Sequence, residues 1–336
     1  MARFAIFVAL AEEMSYAIDE MKKWGKFTSD PRIDLPRGQT KFNYNLNRFK
    51  GSNDRIEVNL IQGMGNIISA AHVGTAFLQG MSLPPELALL VGISGSLNSQ
   101  NAALGDVIVS NFVKYYSPDK ILHIDKAKAI LVDSAMRDAH ITKGSKGVKP
   151  YPEDPDKIGL DDRDLVYGDN AIRFLRDQIF HEDLDNIGSQ FVSDANENPK
   201  LPFSLRQGAL LGSNWVIDSD TYTQYIVQKN DWLDFDFYFL NDPSGFTERC
   251  KWNAEEPLAV DMESYGFFKA VAQFSRRSTN VKAYAVRGVS DLCANKGHLD
   301  KSEKNVNRKV ATENAIFATL LLIQYRLANS VFNHVL

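Results

Sequence analysis

Five carboxylates in this chain stand where α/β proteins place their chemistry. Glu12 and Glu13 follow the apolar run 4–10, Asp261 and Glu263 follow the run 258–260, and Asp291 follows the run 281–289. Each run has the composition of a strand buried on both faces of a sheet. Ligands of open α/β sheets bind beyond the carboxyl ends of such strands. Three junctions of this kind could converge on one pocket. Glu12 and Glu13 also fall in the first turn of a predicted helix, 11–24, where acids favour the helix dipole without reacting.

Carboxylates on separate strand ends suit the cleavage of a bond between a sugar and a nitrogenous base. The transition state carries positive charge on the sugar, and the base leaves as an anion unless it is protonated. Such a site needs an acid at the base, an acceptor for the sugar hydroxyls and a group that positions the nucleophile. Local burial can push the pKa values of several carboxylates apart and so divide these roles. Other chemistries lack their residues. No G-x-S-x-G elbow is present and no phosphate-binding GxxxxGK[ST]. The glycine turn Gly63-Met64-Gly65 has Ile68 where a dinucleotide fingerprint has its third glycine. The histidines are scattered, none in HExxH spacing, so neither a metal nor a cofactor is expected.

Charge and targeting narrow the class further. The net charge is −4 with a pI near 5.9, not the basic footprint of a nucleic-acid binder. Cys250 and Cys293 form no paired motif, as in a reducing compartment. The run 4–10 stops at Glu12 with no cleavage site, and the longest apolar run, 315–323, falls short of the ~20 residues of a membrane span. A cytoplasmic protein with neither a nucleic-acid nor a membrane partner is expected.

The elements that would position the acids alternate. Predicted strands at 4–10, 87–93, 107–116, 208–217, 258–260 and 281–289 are interleaved with predicted helices at 11–24, 67–80, 218–229, 262–275 and 304–329. The last helix would bury a stripe of Val306, Val310, Phe317, Leu321 and Leu327. Phe42, Tyr44 and Leu46, then Ile56, Val58 and Leu60, alternate as antiparallel strands. Polar stretches at 117–207, with helical pieces at 126–139 and 170–180, and at 230–256 read as inserts on a single domain, 1–336. The pattern is an α/β sandwich with a parallel or mixed sheet.

Several short blocks, in order, resemble those of the nucleoside phosphorylase superfamily. Val260-Asp261-Met262-Glu263-Ser264 is similar to its V-[ED]-M-E-[SAT] signature, and Arg287-Gly288-Val289-Ser290-Asp291 to R-x-[IV]-S-D. Ala9-Leu10-Ala11-Glu12-Glu13 resembles the opening of the methylthioadenosine/S-adenosylhomocysteine nucleosidase branch, and the blocks at 92–96 and 105–109 match the family's between them. The resemblance covers about two-thirds of the chain. It implies a three-layer α/β/α sandwich with a mixed central sheet. By resemblance Asp291 is the acid that protonates purine N7, Glu263 grips the ribose hydroxyls, Met262 packs on the sugar, and Glu13 positions the attacking water. Ser290 supports Asp291, and Ser94, Gly95, Val216 and Ile217 line the substrate. Asp261 is left as a helix cap.

The nucleophile and the substrate follow from departures. The phosphorylase branch has an Arg and a Ser where Leu90 and Ile93 align here, and a phosphate without cationic partners is costly to desolvate. Hydrolysis of an adenosine derivative is therefore the expected reaction, ahead of phosphorolysis. Asn214 stands in place of the branch's carboxylate and Val216 in place of its aromatic ring; Trp215, Phe237 or Tyr238 could stack instead. Lys114, Lys143, Lys146 and Lys149 leave room for AMP or ATP as the substrate, and a sensing module that binds a nucleoside without turnover is the third reading. The family's habit implies a homo-oligomer.

Overall fold

The computed structural model describes residues 3–24, 41–45, 57–62, 70–71, 74, 78, 84–123, 164–167, 170–180, 187–198, 201–214, 236–238, 249–251, 257–275, 281–293 and 300–332. The predicted helices 126–139 and 218–229 lie outside them. The chain divides into two compact units: Met1–Tyr115, Gln178–Trp232 and Asn253–Leu336 form the first, and Tyr116–Asp177 with Leu233–Trp252 form the second. The second unit draws on the two stretches set apart by their polarity, while 178–207 folds with the first.

In the first unit, β1 (Arg3–Val8) lies between β3 (Glu57–Gln62) and β4 (Leu87–Ser96), parallel to both, and β2 (Lys41–Asn45) pairs antiparallel with β3. On its other side β4 pairs in parallel with β14 (Lys282–Asp291). β14 in turn holds β5 (Val107–Ser110) antiparallel, and β5 holds β9 (Leu205–Gln207). Phe4–Val8 and Leu87–Val91 are fully buried, as their unbroken apolar runs require. The predicted strand 107–116 is broken at Asn111. There the Ser110 hydroxyl donates to Phe112 O and accepts from Phe112 N, at 2.6 and 3.1 Å, and the chain leaves β14 to begin β6 (Phe112–His123) beside β10 (Leu210–Gly212). Of the predicted strand 208–217, Leu210–Gly212 is β10, while β9 ends just before it and 215–217 lie outside the described residues.

Helices cover both faces of this sheet, which gives the three-layer mixed sandwich expected. α1 (Ala11–Trp24), α2 (Ile187–Asn196) and α4 (Lys301–Phe332) pack on the face that carries Leu87, Leu89, Val91, Tyr284 and Val286. α3 (Ser264–Ser275) packs on the opposite face, against Ala88, Leu90, Ala283 and Ala285. α1 buries Met14, Ala17 and Met21, the three-and-four spacing of an amphipathic helix.

Two expectations fail, each for a physical reason. Val306 and Val310 are exposed, at 60% and 42%. α4 instead packs through Ala311, Ala315, Ile316, Ala318, Leu320, Leu322 and Ile323, because its backbone lies directly on the sheet: a β-carbon at Gly288 of β14 would collide with the Ala311 carbonyl. Small residues face a close approach, and the larger valines are left outside. Phe317 still turns inward, edge-on to Phe203 at 6.2 Å, and Leu321 and Leu327 pack against the core. The second failure is in the second unit, where 170–180 is strand β8 (Asn170–Phe180) and not a helix. It pairs antiparallel with β7 (Asp164–Tyr167), Tyr167 opposite Asn170. Only Gly168 and Asp169 separate the two in sequence, a pair suited to a two-residue hairpin. The same unit contains the antiparallel pair β11 (Asp236–Tyr238) and β12 (Arg249–Lys251).

Candidate active site at converging strand ends

The site is organised by the middle of β4. β1 ends with Val8 opposite Val91. Beyond that point its place beside β4 is taken by β13 (Ala259–Asp261), which runs the other way, Val260 opposite Gly95 and Ala259 opposite Ser96. The carboxyl ends of β1 and β13 therefore approach each other across Gly92–Ser94, while β14 runs along the far edge. β1 leads to Glu13, β13 to Asp261 and Glu263, and β14 carries Arg287 and Asp291.

Arg287 is the centre. It is fully buried, with Nε 2.6 Å from Asp261 Oδ2 and Nη2 donating to Glu263 Oε2. The Nε contact is close but too bent for a directed hydrogen bond, and Nη1 has no hydrogen-bond partner among the described residues. Nη1 lies over Gly92, where a β-carbon would sit 2.6 Å from it and 2.8 Å from Glu13 Oε1. A glycine leaves both the guanidinium and the carboxylate the space that a β-carbon would take. Burial works against the charge of Arg287, but Asp261, Glu263 and Glu13 outweigh it and hold its pKa above the ordinary value.

Each acid has a distinct setting. Glu12 is exposed and Glu13 buried, so Glu13 is the inward member of the pair. Its Oε2 accepts from the backbone N–H groups of Ala9 and Leu10, at 3.0 and 2.9 Å, in the manner of a capping box, and its Oε1 accepts from Ile93 N–H at 3.3 Å. Burial raises its pKa, opposed by Arg287 and by those three donors. Asp261 is the helix cap expected: its Oδ1 accepts from the N–H groups of Glu263 and Ser264, at 3.3 and 3.0 Å, and the Ser264 hydroxyl donates to Oδ2. It is also an ion-pair partner of Arg287. Glu263 is pushed up to about 7, chiefly by burial, with Arg287 opposing and the charges of Asp261 and Glu13 adding to the rise. One guanidinium thus faces three carboxylates in a dry setting, and the two glutamates resist ionisation.

Asp291 is placed by a bulge. Val289 pairs with Ser94 but Asp291 pairs with Gly95, so Ser290 is the extra residue. Bulges beside functional sites re-aim side chains in this way. The Ser290 hydroxyl stands 3.2 Å from both Ser94 O and Asp291 Oδ2. Oδ1 accepts from Cys293 N–H at 3.0 Å, and a β-carbon at Gly95 would be 2.7 Å from that oxygen. Asp291 is half-buried where Glu13 and Glu263 are buried. Gly92, which borders the glutamate cluster, and Gly95, which borders Asp291, are three residues apart on β4, roughly 10 Å of strand at ~3.3 Å per residue.

The remaining residues divide. Ser94 and Ser96 have buried hydroxyls without a hydrogen-bond partner among the described residues, on either side of Gly95. Met262 is half-buried between Asp261 and Glu263. Val216, Ile217, Trp215 and the lysines 143, 146 and 149 lie outside the described residues, as do the side chains of Phe237 and Tyr238. The Asn214 amide donates to the Tyr115 hydroxyl at 2.9 Å, and Tyr115 stacks on Tyr265 of α3. Lys114 is fully buried, its ammonium 5.7 Å from the Phe112 ring centroid. Sequence reasoning missed Arg287 as the centre and Cys293 as a site residue. A lone arginine in the apolar strand 282–289 was the available signal, since a buried cation requires acids around it. Among the described residues no His, Cys, Asp or Glu cluster could hold a metal ion, and no helix is long and apolar enough to cross a membrane.

No protein-family model and no curated protein sequence matches the chain. Solved structures do. Futalosine hydrolase of Helicobacter pylori is 13% identical with a TM-score of 0.54, over 96% of this chain and 97% of that one. A putative 5′-methylthioadenosine/S-adenosylhomocysteine nucleosidase from Francisella philomiragia is 14% identical with a TM-score of 0.55, over 96% and 99%. The Helicobacter pylori nucleosidase of the same description, solved with butyl-thio-DADMe-Immucillin-A, is 14% identical with a TM-score of 0.55, over 96% and 98%. Sheet order, helical layers and this near-complete mutual coverage show that the chain has the nucleoside phosphorylase-like fold.

Proposed function

We propose that this protein is a purine nucleoside N-ribohydrolase acting on an adenosine derivative of the methylthioadenosine or adenosylhomocysteine kind. The observation that carries the reading is that Glu13 and the Glu263–Arg287 pair border Gly92 while Asp291 borders Gly95 of the same strand, β4, with Arg287 Nη1 free of a hydrogen-bond partner among the described residues. The ribose lies at the Gly92 end, its hydroxyls on Glu263 and its apolar face on Met262. The base lies at the Gly95 end, next to Asp291 and Ser94. Water sits between Glu13 and Arg287. Its oxygen bonds to C1′ as the C1′–N9 bond breaks. The electron pair of that bond goes to the base, Asp291 delivers a proton to N7, and Glu13 takes the proton released by water. With Glu13 ionised, the state it needs as base, the acids around Arg287 supply negative potential where the sugar becomes cationic. The chemistry requires no cofactor, and the same reading takes the protein as a cytoplasmic homo-oligomer.

Water is favoured over phosphate because Leu90 is a buried core residue and Ile93 N–H is already bonded to Glu13. A phosphate there would gain no cation beyond Arg287, which already serves two acids. The test is release of free base from methylthioadenosine, adenosylhomocysteine, adenosine, inosine, AMP and ATP, with and without phosphate. Phosphate-independent release from a nucleoside is the expected result. Release from AMP or ATP alone would move the substrate to nucleotides, a phosphate-dependent rate would make the enzyme a phosphorylase, and a blank across the panel with tight nucleoside binding would make it a sensor.

A further inference from the structure

The proposed acid is held by a residue whose own backbone is unusual. Cys293 has φ 57, the left-handed region, and is the one non-glycine residue with positive φ among the described residues. Glycine or asparagine would enter that region more easily than a cysteine. The side chain is also fully buried. A residue kept in an unfavourable backbone region, with its side chain enclosed, is held there by its surroundings.

Those surroundings are the site itself. The Cys293 N–H donates to Asp291 Oδ1 at 3.0 Å, a bond that needs the chain to turn back at once after β14. The left-handed conformation provides that turn. It also drives the thiol against the Cα of Gly95, so that a β-carbon at Gly95 would collide with Sγ and come within 2.7 Å of Asp291 Oδ1. Gly95, the thiol and the carboxylate form one packed contact. Across it, the Ser290 hydroxyl takes the other carboxylate oxygen at 3.2 Å. Asp291 is thus fixed on Oδ2 by a bulge residue and on Oδ1 by a backbone donor whose position depends on how far Sγ keeps the turn from β4.

We propose that Cys293 is the positioning residue for Asp291: its thiol is a spacer between the turn and Gly95, and its left-handed backbone aims an N–H at the carboxylate. The role is steric and needs no thiol reactivity. It rests on the reading of Asp291 as the acid, but its structural half does not. Serine at 293 keeps nearly the same size, alanine removes the spacer, and glycine removes the spacer while easing the backbone.

The experiment compares wild type, C293S, C293A and C293G by two readouts. The first is amide hydrogen exchange at position 293, which reports the N–H bond whether or not the protein is an enzyme. Exchange faster by about tenfold or more in C293A and C293G, with C293S near wild type, is expected. The second is base release from the nucleoside that the wild type cleaves best. Misplacing a reacting group by about 1 Å can cost ~10²-fold, so kcat should fall roughly ten- to hundredfold in C293A while KM stays within about threefold, with C293S restoring most of the loss. Equal exchange and equal kcat in C293A and wild type would overturn the proposal. If wild type releases no base from any nucleoside, the hydrolase reading fails, and the exchange rates alone decide whether Cys293 holds Asp291.

Discussion

Replacing Glu263 with glutamine should flatten the dependence of stability on pH. Glu263 is raised from the ordinary 4.5 to about 7, first by burial and then by the charges of Asp261 and Glu13, with Arg287 in opposition. A carboxyl raised in the folded state binds its proton more tightly there than in the unfolded chain. Its contribution is therefore fully present below about 4.5, is lost as pH rises, and is gone above about 7. The difference between the two values, at 1.36 kcal/mol per pH unit, is roughly 3 kcal/mol. Urea unfolding at steps from pH 5 to 8.5 should show wild type losing about that much more stability than E263Q across the interval. Glu13, likewise raised, is linked electrostatically to Glu263, so the difference between the curves reports position 263 together with its coupling to Glu13. Parallel curves would refute the claim that Glu263 is buried among excess negative charge.

The other carboxylates and their neighbours give sharper losses. E13Q should lower base release by at least the ~10² typical of a general base, measured under saturating nucleoside without phosphate. R287M leaves three buried acids without their cation and should cost about 3–5 kcal/mol in urea unfolding, with R287K recovering only part because a lysine cannot reach two acids in one plane. G92A should cost about 1–3 kcal/mol and most of the activity, since its methyl would lie 2.6 Å from Arg287 Nη1 and 2.8 Å from Glu13 Oε1. Wild-type stability and rate in G92A would mean that Arg287 and Glu13 do not crowd this glycine.

The parts of this site that were readable in the sequence are those that a buried strand makes conspicuous. An apolar run leaves no place for a carboxylate, so Glu13, Glu263 and Asp291 stand out where the runs end, and Asp261 is left as a helix cap. Arg287 was harder to see because it lies inside a run, where its meaning depends on acids brought in from β1 and β13. Cys293 carries no polar signature at all; its importance lies in a backbone angle and a contact with Gly95. The same limit affects the scaffold. Val306 and Val310 look like core on hydropathy, but they are exposed, and at the close approach to Gly288 α4 presents Ala311. Asn170–Phe180 has enough apolar residues for a helix, and the hairpin was signalled only by Gly168-Asp169.

The central claim is that Asp291 is the acid at the base. The direct measurement is D291N, assayed for base release and for nucleoside binding on the same preparation. The account predicts that release falls by at least ~10² while binding stays within about tenfold, because asparagine keeps the size and the Cys293 contact but has no proton to deliver. Base release by D291N at the wild-type rate would contradict it.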